Sequence, residues 1–136
     1  MNDRPLRADD REFAAPTGAL SKAPVSSAIR IGDLILLSGQ IGIDANGAVV
    51  PGGVAEQTRV CLRSIRDLLE PLGASLEDVV QTRVFLTDFA NYDDYNQVYR
   101  EFFSTPFPTR STLGTPQLAL GAEIEIEAVA HRRAQK

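Results

Sequence analysis

Between residues 26 and 42 the chain reads SSAIRIGDLILLSGQIG, two short apolar runs separated by Gly32 and Asp33. A Gly-Asp pair between apolar runs suits a tight turn, so the pattern predicts two strands joined there. DANGAVVPGG follows, with Asn46-Gly47 as a hairpin signal and Pro51-Gly52-Gly53 as a loop. From residue 54 to 73 the period changes to that of a helix. Cys61, Ile65, Leu68, Leu69 and Leu72 share one face, and Arg59, Arg63, Arg66 and Asp67 take the other. Pro71 weakens the last turn and Gly73 is placed to stop it. SLED, residues 75–78, is a one-turn capping pattern. VVQTRVFLTD then reads as a strand with Val80, Thr82, Val84 and Leu86 on one face.

A second helix is predicted over about residues 91–103. Tyr92, Tyr95, Val98, Tyr99, Phe102 and Phe103 recur there every three or four positions, an aromatic stripe that reads as core packing. TPFPTR is a stiff loop, because each proline fixes its own φ. RSTLG is a short strand, and AEIEIEAVAHR is the last and longest one. Ile124, Ile126 and Ala128 lie on one of its faces, and Glu123, Glu125 and Glu127 on the other.

The element order is therefore β-β-α-β-α-β-β, which implies an α+β fold: one mixed sheet with two helices on one face. Residues 1–20 carry Pro5, Pro16 and Gly18 among polar positions and read as a flexible N-terminal arm, leaving residues 21–136 as a single domain. The second sheet face, drawn from LILLSG and TRVFL, is too apolar for free solvent. Such a face marks an interface, and the expectation is a homo-oligomer with pockets where subunits meet.

Composition narrows the chemistry. At 136 residues the chain fits one domain that buries roughly two-thirds of its unfolded surface. Fourteen Lys+Arg against 18 Asp+Glu give a net charge of −4. With no basic field to release counterions, nucleic acid and anionic membrane are not expected as partners. A small anion held by specific arginines remains open. No apolar run is long enough to cross a bilayer, the N-terminus lacks the apolar stretch of a secretory signal, and the one cysteine forms no internal disulfide; a cytoplasmic location is expected. His131 is the only histidine and sits near the C-terminus, while Cys61 falls on the apolar helix stripe. Ser-His and Cys-His nucleophiles and a His/Cys zinc site are thereby excluded. Any catalysis must use Arg, Asp/Glu, Ser/Thr, Tyr, backbone amides and water.

Arg110 is the outstanding candidate. It begins a strand directly after the stiff loop, and its planar fork of donors matches a carboxylate in a bidentate way. On spacing alone it reads equally as a structural ion pair with a nearby glutamate. The alternating EIEIE likewise fits any half-exposed strand.

LLSGQIG, VFLTDFANYDDYNQVYREFF, FPTRS and IEIEAVA together resemble, in order and spacing, the Rid (YjgF-like) family of reactive intermediate imine/enamine deaminases. The similarity runs from about Ala23 to Arg132. The resemblance implies a chorismate-mutase-like fold and a homotrimer with three clefts between neighbouring subunits. It implies that Arg110 grips the carboxylate of a 2-imino acid, that Ser38, Gly39 and Asn96 line the cleft, and that Glu125 orients the hydrolytic water, reaching the cleft of Arg110 from the neighbouring strand. Two positions differ from the common family pattern. Thr112 stands where many members have cysteine, its hydroxyl able to hold a water with Glu125, and Val25 stands where a tyrosine is frequent, which greases the pocket.

The implied reaction suits the sparse set of side chains. Imines are already electrophilic, so holding a carboxylate, aiding protonation and aiming one water at the C=N carbon is enough. No metal and no organic cofactor is required. The expected function is hydrolytic deamination of small 2-imino acids and their enamines, releasing ammonia and a 2-oxo acid. Two alternatives stay open: a larger catabolic enamine such as aminoacrylate or 2-aminomuconate, and a non-catalytic metabolite-binding or chaperone trimer. A ribonuclease role, attached to some relatives, fits the acidic balance least.

Overall fold

A computed structural model describes residues 10–133. The strands are β1 (Arg11–Ala14), β2 (Ala28–Ile31), β3 (Leu34–Ile41), β4 (Val79–Leu86), β5 (Thr109–Gly114) and β6 (Ile124–His131). The helices are α1 (Gly53–Leu69) and α2 (Tyr92–Phe102). They form one six-stranded sheet in the order β1-β2-β3-β6-β4-β5, antiparallel except for the parallel pair β4 and β5. That parallel pair is joined through α2, as a parallel connection requires. The expected mixed sheet with two helices is therefore present.

One expectation is corrected. Within the segment read as a flexible arm, Arg11–Ala14 is an edge strand, with Arg11 opposite Ile31 and Ala14 opposite Ala28. REFA is too short and too charged to announce a strand by alternation, and pairing with β2 supplies what its own pattern lacks. The rest of the arm up to residue 9 lies outside the described residues.

The core forms between the helices and one sheet face. Cys61, Leu62, Ile65 and Leu69 of α1 and Tyr95 and Tyr99 of α2 pack on Ile35, Leu37, Val84, Leu86, Ile124, Ile126 and Ala128. Alternation from Ile124 along β6 is as the sequence predicts, but Glu123 precedes the strand and turns its carboxylate to Gln57 of α1; α1 is followed by a short 3-10 turn at Glu70–Leu72 before Gly73. The face assigned to β4 needs one change. Val80 is 47% exposed and Val79 is 6% exposed, because the register jumps between Val79↔Ala130 and Gln81↔Val129. Val80 is the extra residue of a bulge, and from Thr82 onward the predicted face holds.

Two buried polar side chains fasten the ends of elements. Arg30 donates to the carbonyls of Gly32, Leu72 and Arg132, tying β2 to the chain segments after α1 and β6. Gln57 of α1 donates to the Glu123 carboxylate at 3.1 Å and accepts from the Glu123 amide at 2.9 Å, fixing the start of β6 against the helix. Both satisfy groups whose burial without partners would cost stability.

Candidate functional site

Arg110 and Thr112 leave β5 on the helix side of the sheet. Their register partners are Thr82 and Val84, both buried beneath α2, and the Thr82 hydroxyl lies 2.8 Å from that of Tyr99. The half-buried guanidinium of Arg110 donates to Asn96 Oδ1 at 2.7 Å and to the Tyr92 hydroxyl at 3.0 Å. It also packs against three rings, with its central carbon 4.9 Å from the centroids of Tyr95 and Tyr99 and 5.7 Å from that of Tyr92. Cation–π attraction of this kind orients the cation without neutralising it.

These partners bear on the ion-pair reading of Arg110. Both hydrogen-bond acceptors are neutral, so the guanidinium is not an arm of an internal ion pair among the described residues. Burial pushes the phenols of Tyr95 and Tyr99 above their ordinary range, an effect opposed by their hydrogen bonds to Thr112 and Thr82 and by the charge of Arg110. The rings thus stay neutral at physiological pH. Among the described residues two of the five N–H donors of the guanidinium are used, which leaves others to meet a ligand. Arg110, Thr112, Tyr92, Phe89 and Asp93 line a cavity of about 670 Å³. The Thr112 hydroxyl shares a 2.6 Å hydrogen bond with Tyr95.

The other expected residues gather elsewhere. Ser38 and Gly39 form a bulge in β3, where the register jumps between Leu37↔Ala128 and Gln40↔Ile126. Val25, Ser38 and Gly39 line one groove of about 470 Å³ beside α1. The Ser38 hydroxyl donates to the Ser26 carbonyl at 2.6 Å, which leaves it lone pairs to offer a ligand. The Glu125 carboxyl lies directly over Gly39: a Cβ added there would sit 2.7 Å from it. Burial, aided by the nearby Glu127 charge, holds the Glu125 carboxyl above the ordinary carboxylate range.

Gly39 therefore makes room for Glu125. Gly39→Ala is expected to force that side chain aside and, because the group that must give is the end of a flexible side chain, to lower stability by about 1 kcal/mol, the low end of the cost of overpacking. Urea denaturation of the purified variant measures it, and an unchanged midpoint would show that the carboxyl moves freely.

The structure assembles two clusters, not one. Arg110, Asn96 and Thr112 lie together on the helix side of the sheet. Glu125 alternates with the buried Ile124 and Ile126, so it leaves β6 on the opposite side, near Gly39 and Ser38. β4 separates β5 from β6. The expectation that Glu125 reaches the cleft of Arg110 from the neighbouring strand is thus corrected for a single chain. Thr112 likewise meets Tyr95, not Glu125, within one chain.

Glu123 is held by Gln57, and Glu127 pairs with Arg83 at 3.3 Å, so neither matches Glu125 in setting. The aromatic stripe of α2 was readable as core, and Tyr95 and Tyr99 are buried. Its second role, a three-ring cage for Arg110, is visible only once β5 is docked beside it. Cys61 is fully buried, its Sγ donating to the Gln40 carbonyl, and burial raises its thiol far out of the reactive range. Among the described residues no cluster of three or more His, Cys, Asp or Glu could hold a metal, and no helix is long and apolar enough to cross a membrane.

Known proteins share this arrangement of sequence and fold. The model of the family described as Endoribonuclease L-PSP (Ribonuc_L-PSP) matches residues 17–132. The "RutC family protein y4sK" of Sinorhizobium fredii is 42% identical over 107 residues, covering 78% of this chain and 85% of the relative. The human "2-iminobutanoate/2-iminopropanoate deaminase" is 38% identical over 108 residues, covering 79% of each chain. The crystal structure titled YEO7_yeast superposes with a TM-score of 0.81 at 32% identity, over 89% of this chain and 97% of that one.

Proposed function

The chain belongs to the Ribonuc_L-PSP family, known also by the names YjgF, RutC and Rid, and we propose that it is a hydrolytic deaminase of carboxylate-bearing imines and enamines. Relatives that carry the name 2-iminobutanoate/2-iminopropanoate deaminase support that reaction. The observation that carries it here is the state of Arg110. It is a cation fixed by neutral groups, and it opens on a cavity with donors left to bind a carboxylate.

The cleft is completed between copies of the chain. Arg110, Asn96 and Thr112 of one protomer face Glu125, Ser38 and Gly39 of the next, in a homotrimer with three such clefts. Two observations support this assembly. Arg110 and Glu125 leave the sheet on opposite sides, so a single chain cannot present both to one small molecule. Leu34, Leu36 and Leu113, on the sheet face away from the helices, are also exposed, which favours a covered face.

In the reaction, Arg110 fixes the substrate carboxylate and thereby the C=N carbon. An enamine first takes a proton on carbon to become the imine. Glu125 in its ionised form orients a water and accepts its proton as oxygen bonds to the imine carbon. That proton passes to nitrogen, the proton left on the new hydroxyl then transfers to the departing nitrogen as the C–N bond breaks, and ammonia and a 2-oxo acid leave. Positioning and one general base suffice for so activated a substrate.

The test is ammonia release from 2-imino acids generated in situ by an amino acid oxidase, with and without the protein. A clear acceleration is expected, together with a light-scattering mass of about three times 14.8 kDa. No acceleration by a well-folded preparation overturns the deaminase, and a monomer at micromolar concentration overturns the shared cleft.

A further inference from the structure

The ring of Phe89 is 51% exposed at the edge of the Arg110 cavity. It is a fixed ring, not a loose one. Asp88 accepts a hydrogen bond from the Ala90 amide, and the short turn Phe89–Asn91 runs directly into α2. The ring stacks on Tyr92 with centroids 6.2 Å apart and planes 13° apart, and it closes over Gly114 at the end of β5, where a Cβ would come within 3.2 Å. Tyr92 in turn touches Arg110. Anchor, half-buried ring and exposed ring thus form a row.

That row sets a length. A carboxylate held by Arg110 with a methyl or ethyl group on the imine carbon leaves the face of Phe89 in water. An arylmethyl group extends far enough to cover it, and aromatic pairs favour the offset or edge-on contacts that such an approach allows. The Arg110 hollow is open along this row of rings. Asp93, also in the lining, repels a second negative charge, so an acidic side chain is disfavoured. On the other half of the proposed cleft, Val25 is 52% exposed beside Ser38 and Gly39 and adds a second apolar surface.

We infer that the cleft prefers 2-imino acids with an aromatic or comparably bulky apolar side chain, and that Phe89 is a specificity-determining residue. The inference rests on the deaminase reading above, and it fixes the substrate class within it. The alanine- and phenylalanine-derived imines are compared by kcat/KM in wild type, Phe89→Leu and Phe89→Ala, alongside equilibrium binding of pyruvate and phenylpyruvate, the corresponding 2-oxo acids.

Wild type is expected to favour the aryl imine by on the order of tenfold or more, as burial of an aromatic side chain allows. Phe89→Ala should lower the aryl-to-alkyl ratio roughly tenfold, with Phe89→Leu between them. Phenylpyruvate should bind more tightly than pyruvate by a margin that shrinks in Phe89→Ala. Turnover of both imines with no aryl preference, or with a ratio insensitive to Phe89, overturns the inference and leaves the deaminase standing. If neither imine is turned over but phenylpyruvate binds preferentially through Phe89, the deaminase falls and the ligand class stands. No preference in binding or turnover overturns it outright.

Discussion

Arg110→Lys is expected to keep the fold and the assembly and to lose most imine hydrolysis, and Arg110→Ala to lose nearly all of it. Lysine preserves the charge but not the planar two-pronged donor geometry. It also cannot reach Asn96 Oδ1 and the Tyr92 hydroxyl together while facing a ligand, as the guanidinium does. Truncating a bidentate, partly desolvated charge pair costs about 2–5 kcal/mol, which is roughly 30- to several-thousand-fold in kcat/KM. Stability should fall as well, because three cation–π contacts and two half-buried hydrogen bonds are lost, each worth about 0.5–1.5 kcal/mol, so kcat/KM is compared on the folded fraction. Steady-state kinetics and thermal melts on both variants separate the two effects. A folded Arg110→Ala protein with full activity would falsify the carboxylate-anchor role.

Glu125→Gln should reduce turnover by on the order of 10²-fold, the usual cost of losing a general base. Glu123→Gln and Glu127→Gln should stay near wild type, because those carboxylates are held by Gln57 and Arg83. The pH dependence follows from the raised Glu125 carboxyl. The active form is ionised, so kcat/KM falls as pH drops through a value above the ordinary carboxylate range, and that limb disappears in Glu125→Gln. Stability has the opposite sense. Folding binds the proton more tightly than the unfolded chain does, so this group favours the fold at low pH, and the contribution is lost as pH rises through its folded pKa.

The same variant tests the composite cleft. Arg110→Ala and Glu125→Gln chains, each strongly impaired, are refolded together and assayed. Mixed trimers contain clefts that draw an intact Arg110 from one chain and an intact Glu125 from another, so activity should reappear. Equal losses in all three glutamate variants, or mixtures no more active than their components, would mean that Glu125 does not act across a subunit boundary.

Most of the architecture was legible along the chain because burial writes a period into it. The alternation of Ile124, Ile126 and Ala128 with the glutamates gave β6 and its faces, and the spacing of Cys61, Ile65 and Leu69 gave α1. Gly73 marked where α1 had to end. What escaped was set by pairing. β1 has no apolar period of its own and exists because β2 offers it an edge. Val80 leaves its predicted face because one extra residue in β4 has to be absorbed against β6.

The site divides along the same line. Local sequence determined that Arg110 lies near the start of a strand behind a stiff loop, one residue after the Thr109 that opens it, that Ser38 and Gly39 follow an apolar run, and that Glu125 alternates with isoleucines, since each depends only on neighbours in the chain. Tertiary structure alone decided the partners of Arg110, because Asn96 and the three tyrosines belong to α2 and meet β5 only when the helix packs on the sheet. It alone placed Glu125 over Gly39, because a bulge in β3 has to bring a residue without a side chain beneath that carboxyl. And it put Arg110 and Glu125 on opposite sides of one sheet, since which face a residue takes relative to a distant strand is fixed by register, not by spacing in the chain.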